Sequence, residues 1–143
     1  MENNLDIKKF KEISRSFVIE IIYSAQDSHK AAFKEERERN DLIAGIMLSN
    51  AISTNNSMKV LYYQNPDFEH QEFEAFFAGF DIYKNELLTN IRTGHSHQWT
   101  DIEFRSFIEK AIPLTQLLDM QIGDKLREIL SEQWFCIDTV KPT

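Results

Sequence analysis

The amino-acid sequence predicts an all-α fold: one domain built as an antiparallel bundle of four to six helices. Apolar residues recur at steps of three and four along most of the chain, the spacing that places side chains on one face of a helix. Glycine and proline are scarce, with 4 and 3 among 143 residues, whereas a β-rich domain of this size needs more turn residues. The connections between the predicted helices are short, and short connections favour antiparallel neighbours.

The size and composition indicate a single folded unit. A chain of 143 residues has the usual length of one domain, so we expect residues 1–143 to form one helical domain with a frayed tail at about 138–143. Apolar residues make up 42% of the chain and aromatic residues 12%, which is enough for a packed core and argues against disorder.

The first two helices are predicted over residues 6–36 and 41–63, with Asp41 as the capping residue of the second. The middle of the second helix, residues 49–57, is rich in Ser and Asn, whose side chains compete for backbone hydrogen bonds. This stretch predicts an exposed turn, a kink, a buried network or a binding site, and in the last case Asn50 is the candidate binding residue. The apolar positions predicted for the inner faces of these two helices are Phe10, Ile13, Phe17, Val18, Ile21, Ile22, Ala25, Ala32, Phe33, Leu42, Ile46, Ala51, Met58, Leu61 and Tyr62.

Three more helices are predicted in the second half of the chain. The third covers residues 67–92 and is followed by a break at residues 93–99. Residues 100–103 form a T-x-x-E capping box that opens the fourth helix, in which Pro113 introduces a kink or a new turn. The last helix is expected over residues 123–134. The third helix carries a bulky stripe that we interpret as core: Phe73, Phe76, Phe77, Phe80, Tyr83, Leu87, Leu88 and Ile91.

Charge and cysteine content restrict the class of protein. The net charge is −7 and the pI about 5.1, so the chain lacks the overall basic character of general nucleic-acid binders. The single cysteine, Cys136, excludes an intrachain disulfide, and the first residues are too polar for a signal peptide. The apolar runs are shorter than the ~20 residues that cross a bilayer. We therefore expect a cytoplasmic protein that does not bind membranes.

One cluster could carry chemistry, the segment I-R-T-G-H-S-H-Q-W at residues 91–99. Arg92 and His97 are five positions apart at the end of a predicted helix and can lie close together. A histidine, with a usual pKa near 6.5, can take a proton from a ribose 2′-hydroxyl, while an arginine holds the phosphate and the charge that builds on it. RNA cleavage of this kind needs no metal, and we expect no cofactor.

This segment resembles the HEPN family. Members carry R-x4-6-H, often as I-R-N-G-x-[AS]-H or with an aromatic residue two places after the histidine. Here Arg92 and His97 stand at the motif's positions, Trp99 is the aromatic residue where many members have Tyr, and Thr93 replaces the usual Asn. The resemblance implies a dimeric helical bundle with Arg and His of both copies in one cleft. It also implies a metal-independent endoribonuclease, often a toxin or defence component, although some relatives are non-catalytic.

Two other interpretations of the segment remain open. His95 and His97 could bind zinc if His70 or a carboxylate supplied further ligands. Alternatively, Gly94 ends the third helix, Arg92 and His95 complement its dipole, and Trp99 packs as an apolar plug. His95 and Trp99 are also candidate binding residues beside a catalytic pair.

A second function class is an acidic immunity or antitoxin protein that neutralises a basic toxin. An acidic surface would speed association with a basic partner, and Glu69, Glu72 and Glu74 are candidates for such a face. This interpretation predicts a protein partner rather than RNA. A helical subunit of a larger assembly is a third and less specific option.

Overall fold

The structure is a computed structural model that describes residues 6–33, 40–93 and 98–132. These ranges contain five α-helices, a short 3-10 turn at Pro66–Phe68 and no strand, which confirms the all-α prediction. None of the described helices combines the length and the apolar character that crossing a bilayer requires. The helices are α1 Ile7–Phe33, α2 Asp41–Tyr63, α3 Gln71–Thr93, α4 Gln98–Leu117 and α5 Gly123–Ser131.

The bundle consists of two helical hairpins that pack against each other. Helix α1 lies along α2 and α3 lies along α4, while contacts between α2 and α3 and between α1 and α4 join the hairpins. The first hairpin is antiparallel, since the Ser28 hydroxyl donates to the carbonyl of Ala44 at 2.6 Å and the Asn50 amide donates to the Ser24 hydroxyl at 2.6 Å. Helix α5 closes the bundle by packing on α4.

Helix α2 begins one residue earlier than a cap at Asp41 would give. The side chain of Asn40 accepts a hydrogen bond from the backbone N–H of Ile43 at 2.9 Å, so Asn40 is the cap and Asp41 is the first helical residue. The polar stretch at residues 49–57 lies within an unbroken helix, and most of its Ser and Asn side chains face solvent. Asn55 is a buried exception, with an exposed fraction of 2%.

An aromatic layer between α3 and α4 forms the centre of the core. Phe107 is fully buried and contacts the rings of Phe76 and Phe80, with centroid distances of 5.2 and 5.5 Å. Gly79 permits this close packing, because a Cβ there would lie 3.1 Å from the side chain of Lys110 and 3.5 Å from the backbone of Phe107. The predicted core stripe of α3 is confirmed except at Leu88, which is 45% exposed.

The start of α4 differs from the predicted capping box. The helix includes Gln98, and Thr100 is a buried residue of its first turn rather than its cap. The Thr100 hydroxyl instead accepts a hydrogen bond from the Asn90 amide of α3 at 3.2 Å. Pro113 lies inside α4, which continues to Leu117. Thr100 is therefore a buried residue within the helix, although the T-x-x-E pattern in which it stands usually marks the residue before a helix.

The C-terminal end of α4 is closed by a left-handed residue. Asp119 has a φ of 60°, and the backbone N–H of Met120 donates to the carbonyl of Thr115 at 2.8 Å, as in a Schellman motif. Two cations of α1 reach this end: Lys11 contacts the Asp119 carboxylate at 3.0 Å, and Arg15 donates to the carbonyl of Leu118 at 2.8 Å. Cations are favourable there because the last carbonyls of a helix carry partial negative charge.

Candidate functional site

Arg92 lies in the last turn of α3, with its side chain exposed. Among the described residues, none accepts a hydrogen bond or forms an ion pair with its guanidinium group. The four residues after Thr93, which include His95 and His97, lie outside the described ranges, so the pairing of Arg92 with His97 stays a prediction.

A buried hydrogen bond holds the two helices together where the motif occurs. The Asn90 amide donates to the Thr100 hydroxyl at 3.2 Å, and both side chains are at most 1% exposed. Arg92 follows Asn90 by two residues, and α4 begins two residues before Thr100. The bond therefore fixes the end of α3 and the start of α4, the described residues on either side of the motif, at the same end of the bundle.

An open depression of about 560 Å³ lies beside Arg92 on the surface of α3. Its lining combines an exposed apolar side chain, Leu88, with the polar side chains of Asn85 and Thr89. Such a surface offers a cation for a phosphate and an apolar contact for a sugar or base. The residues that line it are Asn85, Leu88, Thr89, Ile91 and Arg92.

The other candidate residues are placed differently. Trp99 is 36% exposed in the first turn of α4, so it is only partly buried, in contrast to the predicted apolar plug. Asn50 is exposed in the middle of α2, and its amide donates to Glu20 and Ser24 of α1, both at 2.6 Å. These bonds give Asn50 a role between helices, and it does not line the depression beside Arg92.

His70 cannot complete a zinc site with His95 and His97 in one copy of the chain. It precedes the first residue of α3, whereas those two histidines follow the last. A helix of 23 residues is about 35 Å long, and the few residues after Thr93 span at most about 14 Å. The suggestion of His70 as a third ligand is therefore wrong.

The structure also contains a buried polar network that the sequence did not predict, formed by side chains of α1, α3 and the first turn of α4. His29 of α1 is fully buried, and its two ring nitrogens lie 2.9 Å from the Tyr83 hydroxyl and 2.9 Å from the Asp101 carboxylate. Because a carboxylate only accepts, His29 Nε2 carries the proton and donates to Asp101, and Nδ1 accepts from Tyr83. The imidazole also stacks on Phe104 at a centroid distance of 4.1 Å.

The electrostatics of this network favour a neutral histidine beside an ionised aspartate. Burial lowers the pKa of His29 to about 4, although the adjacent Asp101 opposes the shift. Burial by itself would raise the pKa of Asp101, but hydrogen bonds from His29 and Arg105 outweigh it and hold that pKa below its usual value. Burial also raises the pKa of Tyr83 well above its usual range, so its hydroxyl remains a donor.

Arg105 connects the network to the end of the bundle. Its Nε donates to Asp101 at 2.7 Å, and its terminal nitrogens donate to the carbonyls of Leu130 and Glu132 at the end of α5. The network thus joins α1, α3, α4 and α5. Since His29, Tyr83 and Asp101 are at most 3% exposed, the network is closed to a substrate and acts as a structural support for the start of α4.

The sequence contains a signal for this network. His29 follows Ala25 by four residues on the apolar face of α1, and Asp101 precedes Phe104 by three on the inner face of α4. Polar residues at such core positions need buried partners, and this requirement indicates a network without saying which residues form it.

The proposed acidic face is only partly assembled. Glu69 and Glu74 are exposed near the start of α3, whereas Glu72 is half-buried and pairs with His70. Acidic residues are favourable at any helix N-terminus, so their presence there has an ordinary structural explanation.

Among the described residues, no three His, Cys, Asp or Glu side chains come close enough together to hold a metal ion. Of the candidate residues predicted from the sequence, Arg92 is the one that the described part of the chain places exposed beside a depression. Comparisons with protein-family models, with curated proteins and with solved structures gave no significant match to this chain.

Proposed function

We propose that this chain is a HEPN-like endoribonuclease that uses Arg92 and His97 to cleave RNA without a metal. The observation that carries the proposal is the position of Arg92, exposed and unpaired among the described residues, beside an open depression on the surface of α3 near the end of that helix. The residue type required of its partner, a histidine, follows five positions later in the chain.

The proposed reaction is an internal transesterification of RNA. His97 takes the proton from a ribose 2′-hydroxyl, and the 2′-oxygen forms a bond to the adjacent phosphorus. The bond from phosphorus to the 5′-oxygen breaks, and that oxygen leaves with a proton from water. Arg92 binds the non-bridging phosphate oxygens, whose negative charge increases in the transition state. The products are a 2′,3′-cyclic phosphate and a 5′-hydroxyl.

Purified protein tests the proposal directly on single-stranded RNA. The expected result is cleavage that persists in EDTA and is lost in Arg92→Ala and in His97→Ala. Matched controls are Arg127→Ala and His70→Ala, which remove the same residue types from exposed positions elsewhere and should retain activity. Absence of cleavage by the wild-type protein, or equal activity of all four variants, would show that the assignment is wrong.

The biological role follows from the same residues. A metal-independent endoribonuclease acting on cellular RNA in the cytoplasm would be a toxin or a defence component, so expression should slow growth and His97→Ala should relieve the effect. For the alternative, an acidic immunity or antitoxin protein, the net charge of −7 is the remaining support. Protection of cells from a basic toxin, with association that slows at high salt, would favour that alternative.

A further inference from the structure

A small pocket, which we call the basal pocket, lies at the end of the bundle away from Arg92. The start of α1, the connection between α2 and α3, and the end of α4 surround a volume of about 210 Å³. Most of the length of α3 separates this pocket from Arg92, so it is distinct from the surface of the proposed ribonuclease site. Six of its ten lining residues are apolar: Ile7, Phe10, Phe68, Phe73, Leu117 and Leu118.

Aromatic rings of the core form one wall of the basal pocket. The ring of Phe10 lies against the rings of Phe68 and Phe73, with centroid distances of 4.7 and 5.7 Å. Phe10 and Phe73 are each 1% exposed, so this wall is held in place by the core, whereas Ile7 on the same pocket is 50% exposed. A fixed apolar wall that continues into an exposed apolar side chain favours an apolar group as the ligand.

The volume of the basal pocket restricts the size of that group. Sites for drug-sized ligands and cofactors have about 300–1,000 Å³, so a pocket of about 210 Å³ is too small for them. It is also much larger than the ~30 Å³ that one water molecule occupies in the liquid. The size therefore suits a single large apolar side chain, such as Phe or Leu, presented by another molecule.

Two of the four charged or titratable residues on the basal pocket have their charge balanced within the chain. The Lys11 ammonium group lies 3.0 Å from the Asp119 carboxylate. The imidazole of His70 pairs with the Glu72 carboxylate. Neither residue therefore adds an unbalanced positive charge to the pocket.

The other two, Asp67 and Glu69, leave the basal pocket with unbalanced negative charge. Both are exposed, and among the described residues neither carboxylate accepts a hydrogen bond or forms an ion pair. The positive end of α3 is already complemented by Glu72 and Glu74 in its first turn. An apolar pocket beside two free carboxylates attracts an apolar group that stands next to a cation, and it repels one that stands next to an anion.

We propose that the basal pocket binds a large apolar side chain of a basic protein partner, with a neighbouring Lys or Arg of that partner placed against Asp67 and Glu69. The net charge of −7 adds an attraction of longer range for such a partner. One side chain and its neighbour make few contacts, so the isolated pair should bind with a dissociation constant of about 1 mM. This inference does not depend on the proposed ribonuclease activity.

Titration of the full chain with capped dipeptides, followed by amide NMR spectra, tests the pocket. Acetyl-Phe-Arg-amide should shift the backbone amides of Phe10, Phe68 and Leu118 more than those elsewhere, and the shifts should saturate. Acetyl-Phe-Glu-amide keeps the ring and reverses the charge, whereas acetyl-Ala-Arg-amide keeps the charge and lacks the ring. Each should bind at least ~5-fold more weakly than acetyl-Phe-Arg-amide, because each loses one of the two attractions.

A variant without the two carboxylates tests the assigned charges. Asp67→Asn with Glu69→Gln should bind acetyl-Phe-Arg-amide and acetyl-Phe-Glu-amide with similar affinity. The matched control, Asp124→Asn with Glu128→Gln, removes the same residue types from exposed positions on α5 and should keep the preference for the basic peptide.

Three results would overturn the proposal. Equal affinity of the wild-type protein for all three peptides would mean that the pocket selects neither ring nor charge. A preference that survives in the variant lacking Asp67 and Glu69 would place the charge recognition elsewhere. Absence of shifts at these amides up to about 10 mM peptide would mean that the pocket is filled by the chain itself, by a second copy or by a partner of other chemistry.

Discussion

Acid should destabilise this protein through His29, well before most carboxylates titrate. In the unfolded chain a histidine binds a proton near pH 6.5, whereas burial lowers the pKa of folded His29 to about 4. Between these values the unfolded state binds more protons than the folded state, so the free energy of unfolding falls as the pH falls. The contribution is fully present above pH 6.5 and fully lost below about pH 4.

The loss of unfolding free energy can be calculated from the difference between the pKa of His29 in the unfolded chain and its pKa in the folded protein. Each pH unit between the two pKa values removes about 1.4 kcal/mol, so a change from about pH 7.5 to about pH 5 should remove about 2 kcal/mol through His29. The pKa of Asp101 is also lowered, and its contribution is lost below its usual value of 3.8, outside this range.

Urea unfolding followed by circular dichroism at several pH values measures this loss. In His29→Gln the titrating group is absent, so the decrease in unfolding free energy from pH 7.5 to pH 5 should be smaller than in the wild type by about 2 kcal/mol. His70→Gln removes a histidine that is 44% exposed and should keep the wild-type decrease. If wild type and His29→Gln had the same pH dependence, the buried neutral histidine would be refuted.

Three further substitutions test the packing and the ends of the helices. Phe107→Ala should cost about 4 kcal/mol of unfolding free energy, because it leaves a cavity in the aromatic layer, whereas Ile102→Ala on the surface should change it by less than about 0.5 kcal/mol. Asn40→Ala should cost about 1 kcal/mol through loss of the cap on α2, measured by urea unfolding. Arg105→Ala should increase amide exchange in α5 more than in α2, because it removes the hydrogen bonds to the carbonyls of Leu130 and Glu132; equal changes in both helices would contradict that link.

Apolar periodicity was sufficient to predict the helices and most of the core. Phe76, Phe80 and Tyr83 follow steps of four and three, and all three are buried as that spacing predicts. The same rule placed Leu42 and Ile46 in the core, where they are absent. Periodicity identifies an apolar face, but it does not show whether that face packs within the chain or stays exposed.

The buried network could not be derived from local sequence. His29 and Asp101 are 72 positions apart, and only the packing of α1 against α4 brings them together. Asp101 also stands inside the T-x-x-E pattern, which favoured a helix cap over a buried carboxylate. Arg92 was singled out because it stands with His97 in the segment at residues 91–99; the structure shows it exposed at the end of α3, and its pairing with His97 stays a prediction.

Analysis of the ends of cleaved RNA tests the proposed function most directly, because the products record how the bond was broken. Attack by the 2′-oxygen predicts a 2′,3′-cyclic phosphate on one fragment and a 5′-hydroxyl on the other, in the presence of EDTA and only when Arg92 and His97 are intact. Fragments with a 3′-hydroxyl and a 5′-phosphate, or RNA that stays uncut, would contradict the account.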